Sequence, residues 1–279
     1  MELYTLGNLG QTTFVTKTGS GAALGVACRA SWMQTAPTAS RRNWSAIDAA
    51  LSAATAAGTK FSLSVTAGIQ TPEWVFDLGA QTFQFMVRGR LETIPVPWDA
   101  IYVNQFNQYI QELGRRYAGV VDHITATGIN GLTQETLLPS DVNSLNQWEQ
   151  IGYTNSLISS TWISLLAEWA AAFPNTPIAS DHGRGFMPNL SGNPDCTLDL
   201  IDTAEKLYPA SYILQNNGLS GNGRRLWSEV KAFELDYPNG LIGFQFGAPQ
   251  GANTQAALNV ASANRGRYVE IYPADIMHV

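Results

Sequence analysis

Stretches with strand character alternate with helical periodicity or long loops along most of the 279 residues. That order calls for a parallel sheet covered by helices, and about eight such units in about 250 residues favour closure into a barrel over an open doubly wound sheet. No glycine-rich phosphate fingerprint follows the first strands, which also counts against an open dinucleotide-binding sheet. The sequence therefore predicts an α/β protein built as a single (β/α)8 TIM barrel over 1–279, with no linker.

Residues 1–22 are polar and glycine-bearing, and read as a lead-in segment or as a first strand near Thr12 to Lys17. Leu24 to Trp32 is the next strand, with Val26, Cys28, Ala30 and Trp32 on one face and Gly25, Ala27, Arg29 and Ser31 on the other. A helix follows, capped at Asn43 or Ser45, with Trp44, Ile47, Leu51 and Ala54 at helical spacing and Gly58 ending it. Phe61 to Gly68 is again apolar on one side and small or hydroxylic on the other. From Ile69 to Ala100 runs an irregular excursion of the length that usually carries function in a compact domain.

Tyr102, Phe106, Tyr109, Leu113 and Tyr117 mark an amphipathic helix that leads into the strand Val121 to Thr127, where Gly128 and Gly131 break the pattern. Trp162, Leu165, Trp169 and Phe173 mark a helix, Pro177 to His182 a short strand, and Leu198 to Leu207 a helix. The remaining units are a strand from Tyr212 to Asn217, a helix from Leu226 to Phe233, a strand from Leu241 to Gly247, a helix from Gln255 to Asn264 and a last strand from Tyr268 to Tyr272.

Strand sidedness predicts the lumen. Val269 and Ile271 should face the helices, leaving Tyr268, Glu270 and Tyr272 inside; the same alternation turns Gly243, Gln245, Gly247, Arg29, Ser62, Ser64, Thr66, Gln215 and Asn217 inward. So polar a lumen must satisfy its hydrogen bonds internally or through a ligand. Glu270 stands out because carboxylates are rarely buried without a partner; the alternative to a functional role is an interior ion pair with Arg29. Glu135 stands on the glycine-containing loop after the Val121 to Thr127 strand, and in such barrels chemistry collects on the loops that follow the strands.

Composition bounds the rest. A hydrophobic content of 45% supports a full core. A net charge of −6 and only isolated pairs such as Arg41-Arg42, Arg115-Arg116 and Arg224-Arg225 argue against a nucleic-acid partner. Cys28 and Cys196 form neither a disulfide framework nor a zinc pattern and read as buried free thiols. His123, His182 and His278 fall at no metal-ligand spacing, and no phosphate loop, nucleophile elbow or organic-cofactor motif is present, so no metal and no cofactor is expected. There is no signal-peptide pattern and no membrane-length apolar run, so the chain is expected to be soluble, and cytoplasmic or virion-associated, without a membrane partner.

Two inward carboxylates with a polar lumen and aromatic loops have a chemical meaning. Cleavage of a glycosidic bond needs one carboxyl group to protonate the leaving oxygen and another to act as nucleophile or to activate water. Glu135 and Glu270 are the candidate pair. Trp32, Trp74 and Trp98, near strand ends, are candidate stacking platforms, and Asn130, Gln134, Gln215, Asn217, Gln245, Arg29 and Tyr272 are candidate hydroxyl-binding groups for a carbohydrate. Trp44, Trp162 and Trp169, at helical spacing, read as core; Trp148 and Trp227 have no assigned place.

The run Gly25 to Trp32, with Trp44 to Asp48, Thr71-Pro72-Glu73-Trp74-Val75, Pro95-Val96-Pro97-Trp98-Asp99 and Gly128 to Glu135, resembles the retaining glycoside hydrolases built on this barrel, of the β-galactosidase-like and cellulase-like kind. The closing Tyr268 to Asp275 resembles the final strand of bacterial relatives. The resemblance implies an acid/base glutamate after the fourth strand, at Glu135, and an arginine on the second strand, at Arg29. Two departures stand out. Gln134 replaces the asparagine that usually precedes the acid/base, and Gln245 stands where the seventh-strand nucleophile belongs. Either Glu270 has taken over that role, or the barrel binds sugar without cleaving it.

Overall fold

The computed structural model describes residues 1–183, 185–221 and 228–279. The predicted helix start at Leu226, Trp227 and the pair Arg224-Arg225 lie outside the described residues. Eight parallel strands close a barrel in the order β1 (Glu2–Leu6), β10 (Gly266–Ile271), β9 (Leu241–Phe246), β8 (Tyr212–Leu219), β7 (Ile178–Asp181), β6 (Ile124–Thr125), β3 (Phe61–Thr66), β2 (Gly25–Ser31), with helices outside it, so the chain is a (β/α)8 barrel.

β1 (Glu2–Leu6) pairs with both β2 (Gly25–Ser31) and β10, corrects the expected first strand at Thr12 to Lys17, and closes the barrel. Its pattern is short but regular. Tyr4 and Leu6 pack in the lumen with Ala27, Ala179, Ile213 and Tyr268, while Leu3 packs outward. Lys17 makes only an isolated bridge to Ala23. After β2 come α1 (Trp32–Thr35) and α2 (Ser45–Ala57), and α2 ends as expected at Gly58, whose φ of 64° is left-handed. β3 (Phe61–Thr66) follows.

The 69–100 excursion is more ordered than the sequence indicates. It holds α3 (Glu73–Asp77) and an antiparallel hairpin of β4 (Thr82–Val87) and β5 (Arg90–Pro95). Phe83 and Phe85 point inward while Thr82, Gln84 and Met86 are exposed. The two-residue turn Arg88-Gly89 has positive φ at both positions, the geometry that suits the twist of a tight hairpin. Arginine lacks the usual preference for that conformation, so the turn signal is faint.

Asp99 caps α4 (Ala100–Tyr117) by accepting from the amides of Ile101 and Tyr102. β6 is only Ile124–Thr125, shorter than the predicted Val121 to Thr127, although the Ala126 amide still donates to the Ala179 carbonyl. Then come α5 (Val142–Gln150), α6 (Asn155–Ala172), β7 (Ile178–Asp181), α7 (Thr197–Leu207), β8 (Tyr212–Leu219), α8 (Ser228–Asp236), β9 (Leu241–Phe246), α9 (Thr254–Ala263) and β10 (Gly266–Ile271). Trp148 on α5 stacks on Phe83 at 3.6 Å and so ties the hairpin to the barrel's outer layer.

The core has two parts. The larger lies between strands and helices and includes Val26, Leu63, Ile124, Leu214, Phe244, Val269 and Ile271. The smaller plugs the lumen floor, where Tyr4 and Tyr268 meet edge-on at 5.8 Å. Gly243 gives the Tyr268 ring its place, since a Cβ there would sit 2.4 Å from Cζ. No helix among the described residues is long and apolar enough to cross a membrane. Cys28 and Cys196 are buried and unpaired.

Candidate functional site

Above the tyrosine floor the lumen turns polar, because β7, β8, β9 and β10 each place an inward residue beside its neighbour. Asp181 pairs in register with Gln215, Gln215 with Gly243, and Gln245 with Glu270. The loop after β6 adds Gln134 and Glu135 from above.

Two hydrogen-bonded chains cross this end of the barrel. In the first, Ser64 donates to Gln134 Oε1 (2.9 Å) and Gln134 Nε2 donates to Gln245 Oε1 (3.0 Å). In the second, Tyr268 donates to Gln215 Oε1 (2.5 Å), and Gln215 Nε2 donates to Asn217 Oδ1 (2.8 Å) and, more loosely, to Glu270 Oε2 (3.4 Å). Asn217 Nδ2 then donates to Glu135 Oε1 (3.1 Å). Glu135 and Glu270, far apart in sequence, are thus joined through two side-chain amides. Glu135 is half-buried with its Oε2 unpartnered, whereas Glu270 is buried.

A third carboxyl group belongs to the set. Asp181, at the end of β7, is fully buried; no side chain hydrogen-bonds its oxygens, and the backbone amide of Asn217 approaches them without reaching good hydrogen-bond geometry. Burial, and then the charges of Glu135 and Glu270, push it well above the usual carboxylate range, so it stays neutral between two acids. The signal for it lay in the parity of Ile178-Ala179-Ser180-Asp181, which turns Ala179 and Asp181 inward by the rule that finds Gln215 and Glu270.

The loop bearing Glu135 is fixed on several sides. Tyr102 donates to the Gly128 carbonyl, Trp169 Nε1 to the Thr127 carbonyl, and the Thr136 amide to the Asp181 carbonyl. Asn130 braces the same loop: its Oδ1 accepts from the Gly128 amide and its Nδ2 donates to the Thr133 carbonyl. Its amide is engaged in holding the loop.

Other predicted residues stand elsewhere. Arg29 donates from Nε to the Gly7 carbonyl (2.8 Å), and the interior ion pair with Glu270 does not form; the ring of His123 faces Glu270 instead, Nε2 to Oε1, at 4.0 Å. Trp32 is wholly enclosed by Trp74, Tyr102, Phe106 and Tyr109, so it packs the outer layer and offers no open face, a correction to its role as a platform. Trp74 is half-buried with Nε1 on the Ala36 carbonyl, and Trp98 is half-buried against Trp148 and Tyr153. Tyr272, half-buried, packs against the lumen cluster at the start of the closing turn.

His182 is buried with both ring nitrogens unpartnered, and burial pulls it down to about 3, so it is a neutral ring against the edge of Trp162. Among the described residues no group of three or more His, Cys, Asp or Glu side chains is arranged to hold a metal ion. No protein-family model matches the chain, and no curated protein matches it.

Proposed function

We propose that the chain is a glycoside hydrolase-like barrel that cleaves an O-glycosidic bond with Glu135 as general acid/base and Glu270 as nucleophile or base. The observation that carries this is the ladder from Glu135 through Asn217 and Gln215 to Glu270 at the C-terminal end of the strands, where such barrels do their chemistry. Cleavage requires a proton donor and a second carboxyl group on the two sides of the scissile bond. Glu135, half-buried and with its enclosed Oε2 free of any hydrogen bond, fits the group that meets the leaving oxygen. Glu270, deeper and held by Gln215, fits the group that meets the sugar ring from below. The amides of Gln134, Gln215, Asn217 and Gln245 have the donor and acceptor pairs that sugar hydroxyls require. Asp181, neutral, keeps a third negative charge out of the site and holds a proton near both glutamates.

A panel of aryl glycosides covering the common pyranosides tests the reading. Glu135→Gln and Glu270→Gln should each lower kcat by about 10²–10⁴-fold on the substrate that the wild type accepts, the range for removing a positioned acid or base. Turnover by both variants at the wild-type rate would end the two-carboxylate mechanism.

A second reading has its own observation. Gln245 stands on the seventh barrel strand, where the resembled hydrolases carry their nucleophile, and its Oε1 accepts from Gln134. A glutamine cannot form a glycosyl ester, so a barrel that binds carbohydrate without cleaving it is the alternative. Calorimetric binding of a sugar with no product release would select it.

A further inference from the structure

Below Glu270 the lumen holds a group that the proposed chemistry does not use. His123, in the segment leading into β6, has no solvent exposure, and both of its ring nitrogens face carboxylates. Nδ1 lies 3.2 Å from Asp122 Oδ2 and Nε2 lies 4.0 Å from Glu270 Oε1. The ring is clamped flat on Tyr268 (centroids 4.1 Å apart, planes at 17°) and meets the edge of Tyr4 at 5.3 Å.

A neutral imidazole has one N–H and one lone pair, so with a carboxylate at each nitrogen it would aim the lone pair at one of them. Only the doubly protonated ring offers a donor to both. We propose that His123 is a positioning residue, an imidazolium wedged between Asp122 and Glu270 that fixes the Glu270 carboxylate from beneath and links it to the opposite end of the barrel. The surroundings support that charge. Asp122 is anchored by Tyr4, whose hydroxyl donates to Oδ2 (2.9 Å), by Lys60 on Oδ1 (2.9 Å) and by Arg267 at 3.7 Å. Lys60 also pairs with Glu2. The flat Tyr268 face is a favourable seat for a cation. The charged and titratable groups around the ring are therefore Glu2, Tyr4, Lys60, Asp122, Asp181, Arg267, Tyr268 and Glu270.

Burial alone would pull the ring down, but the hydrogen bond to Asp122 and the charges of Glu270 and Asp122 outweigh it and hold His123 above the ordinary imidazole value, although Nε2, at 4.0 Å from Glu270, has no hydrogen-bond partner. Asp122 answers in kind: burial opposes its charge, yet hydrogen bonds from His123, Lys60 and Tyr4 hold it well below the usual range.

The inference rests on the proposed reading only for what Glu270 does; the state of the ring can be read without any sugar. Long-range proton–nitrogen spectra of the intact protein between pH 5 and 9 resolve the three imidazoles, assigned through His182→Gln and His278→Gln. His123 should show two protonated ring nitrogens at neutral pH and titrate above about 6.5, while His182 stays neutral throughout. Asp122→Asn and Glu270→Gln should each lower the proton affinity of His123 at least tenfold. A His123 ring found neutral in one tautomer at pH 6, or unmoved by Glu270→Gln, overturns the proposal, and the first of these needs no variant of the cluster. If the ring titrates as stated but no glycoside is cleaved, the hydrolase reading fails and this one stands. If cleavage is found, His123→Gln should reshape the pH profile of kcat and leave KM within about twofold, which a merely structural role would not do.

Discussion

Asp181 carries its proton where an exposed aspartate would have lost it, because burial and the charges of Glu135 and Glu270 all oppose ionisation. The sign of the stability effect follows. Below the unfolded value of about 3.9 both states are protonated and the residue contributes nothing to the pH dependence. Above that value the unfolded chain releases a proton that the folded chain keeps, so stability falls with rising pH until the folded group also ionises. Asp181→Asn, neutral at every pH, should match the wild type near pH 4 and exceed it at pH 8, by about 1.4 kcal/mol for each unit by which the folded carboxyl group lies above its unfolded value; thermal unfolding at the two values measures this. At this scale the sequence was half legible. Alternation alone placed Ser64, Gln215, Asn217, Gln245 and Glu270 in one lumen, because in a strand the pleat fixes the side of every residue. Partners were beyond it. Whether Glu270 meets Arg29 or His123 depends on the register of strands distant in sequence, and whether Trp32 is platform or core depends on a ring cluster assembled from α1, α3 and α4.

The loop after β6 is the element on which the site turns, and its neighbour is the turn that follows β3. Gly68 has a φ of +59°, and a Cβ on it would lie 2.1 Å from the Gly131 carbonyl oxygen and 2.4 Å from that of Asn130. The Ile69 amide donates to the same Gly131 carbonyl at 3.0 Å, so the two loops are in backbone contact. Gly68→Ala should therefore push the 130–131 segment away, lower stability by about 1–3 kcal/mol, and reduce any turnover that depends on Glu135. Chemical denaturation together with the glycoside assay reads both effects; an alanine variant of wild-type stability and rate would mean that the loop is free to shift. The amphipathic α4 was legible because its 3.6-residue spacing is sustained over 18 residues, and α6 because Trp162, Leu165 and Trp169 recur at helical spacing. Short elements were not. β1 has only five residues, and the β4–β5 hairpin turns on Arg88-Gly89, which lacks the asparagine or aspartate that marks such turns.

In the whole molecule the barrel separates two environments along its axis. Tyr4, Leu6, Ala27, Ala179, Ile213 and Tyr268 make an apolar plug, and above it three carboxyl groups and four amides line the end where the strands finish. His123 crosses from one to the other. The closed architecture was legible because strands alternate with helices or long loops along the chain, and a parallel sheet of about eight such units closes on itself. Reaction class is a property of the mouth alone, and there the central claim is that Glu135 and Glu270 address one sugar ring. The direct measurement is the distance between their carboxyl groups in a crystal structure of the protein with a sugar bound. The ring should lie between them, at a separation of about 5–5.5 Å for a retaining enzyme or roughly 6.5–9.5 Å for an inverting one. A sugar seated elsewhere, or carboxyl groups well beyond about 9.5 Å apart across it, would contradict the two-carboxylate mechanism.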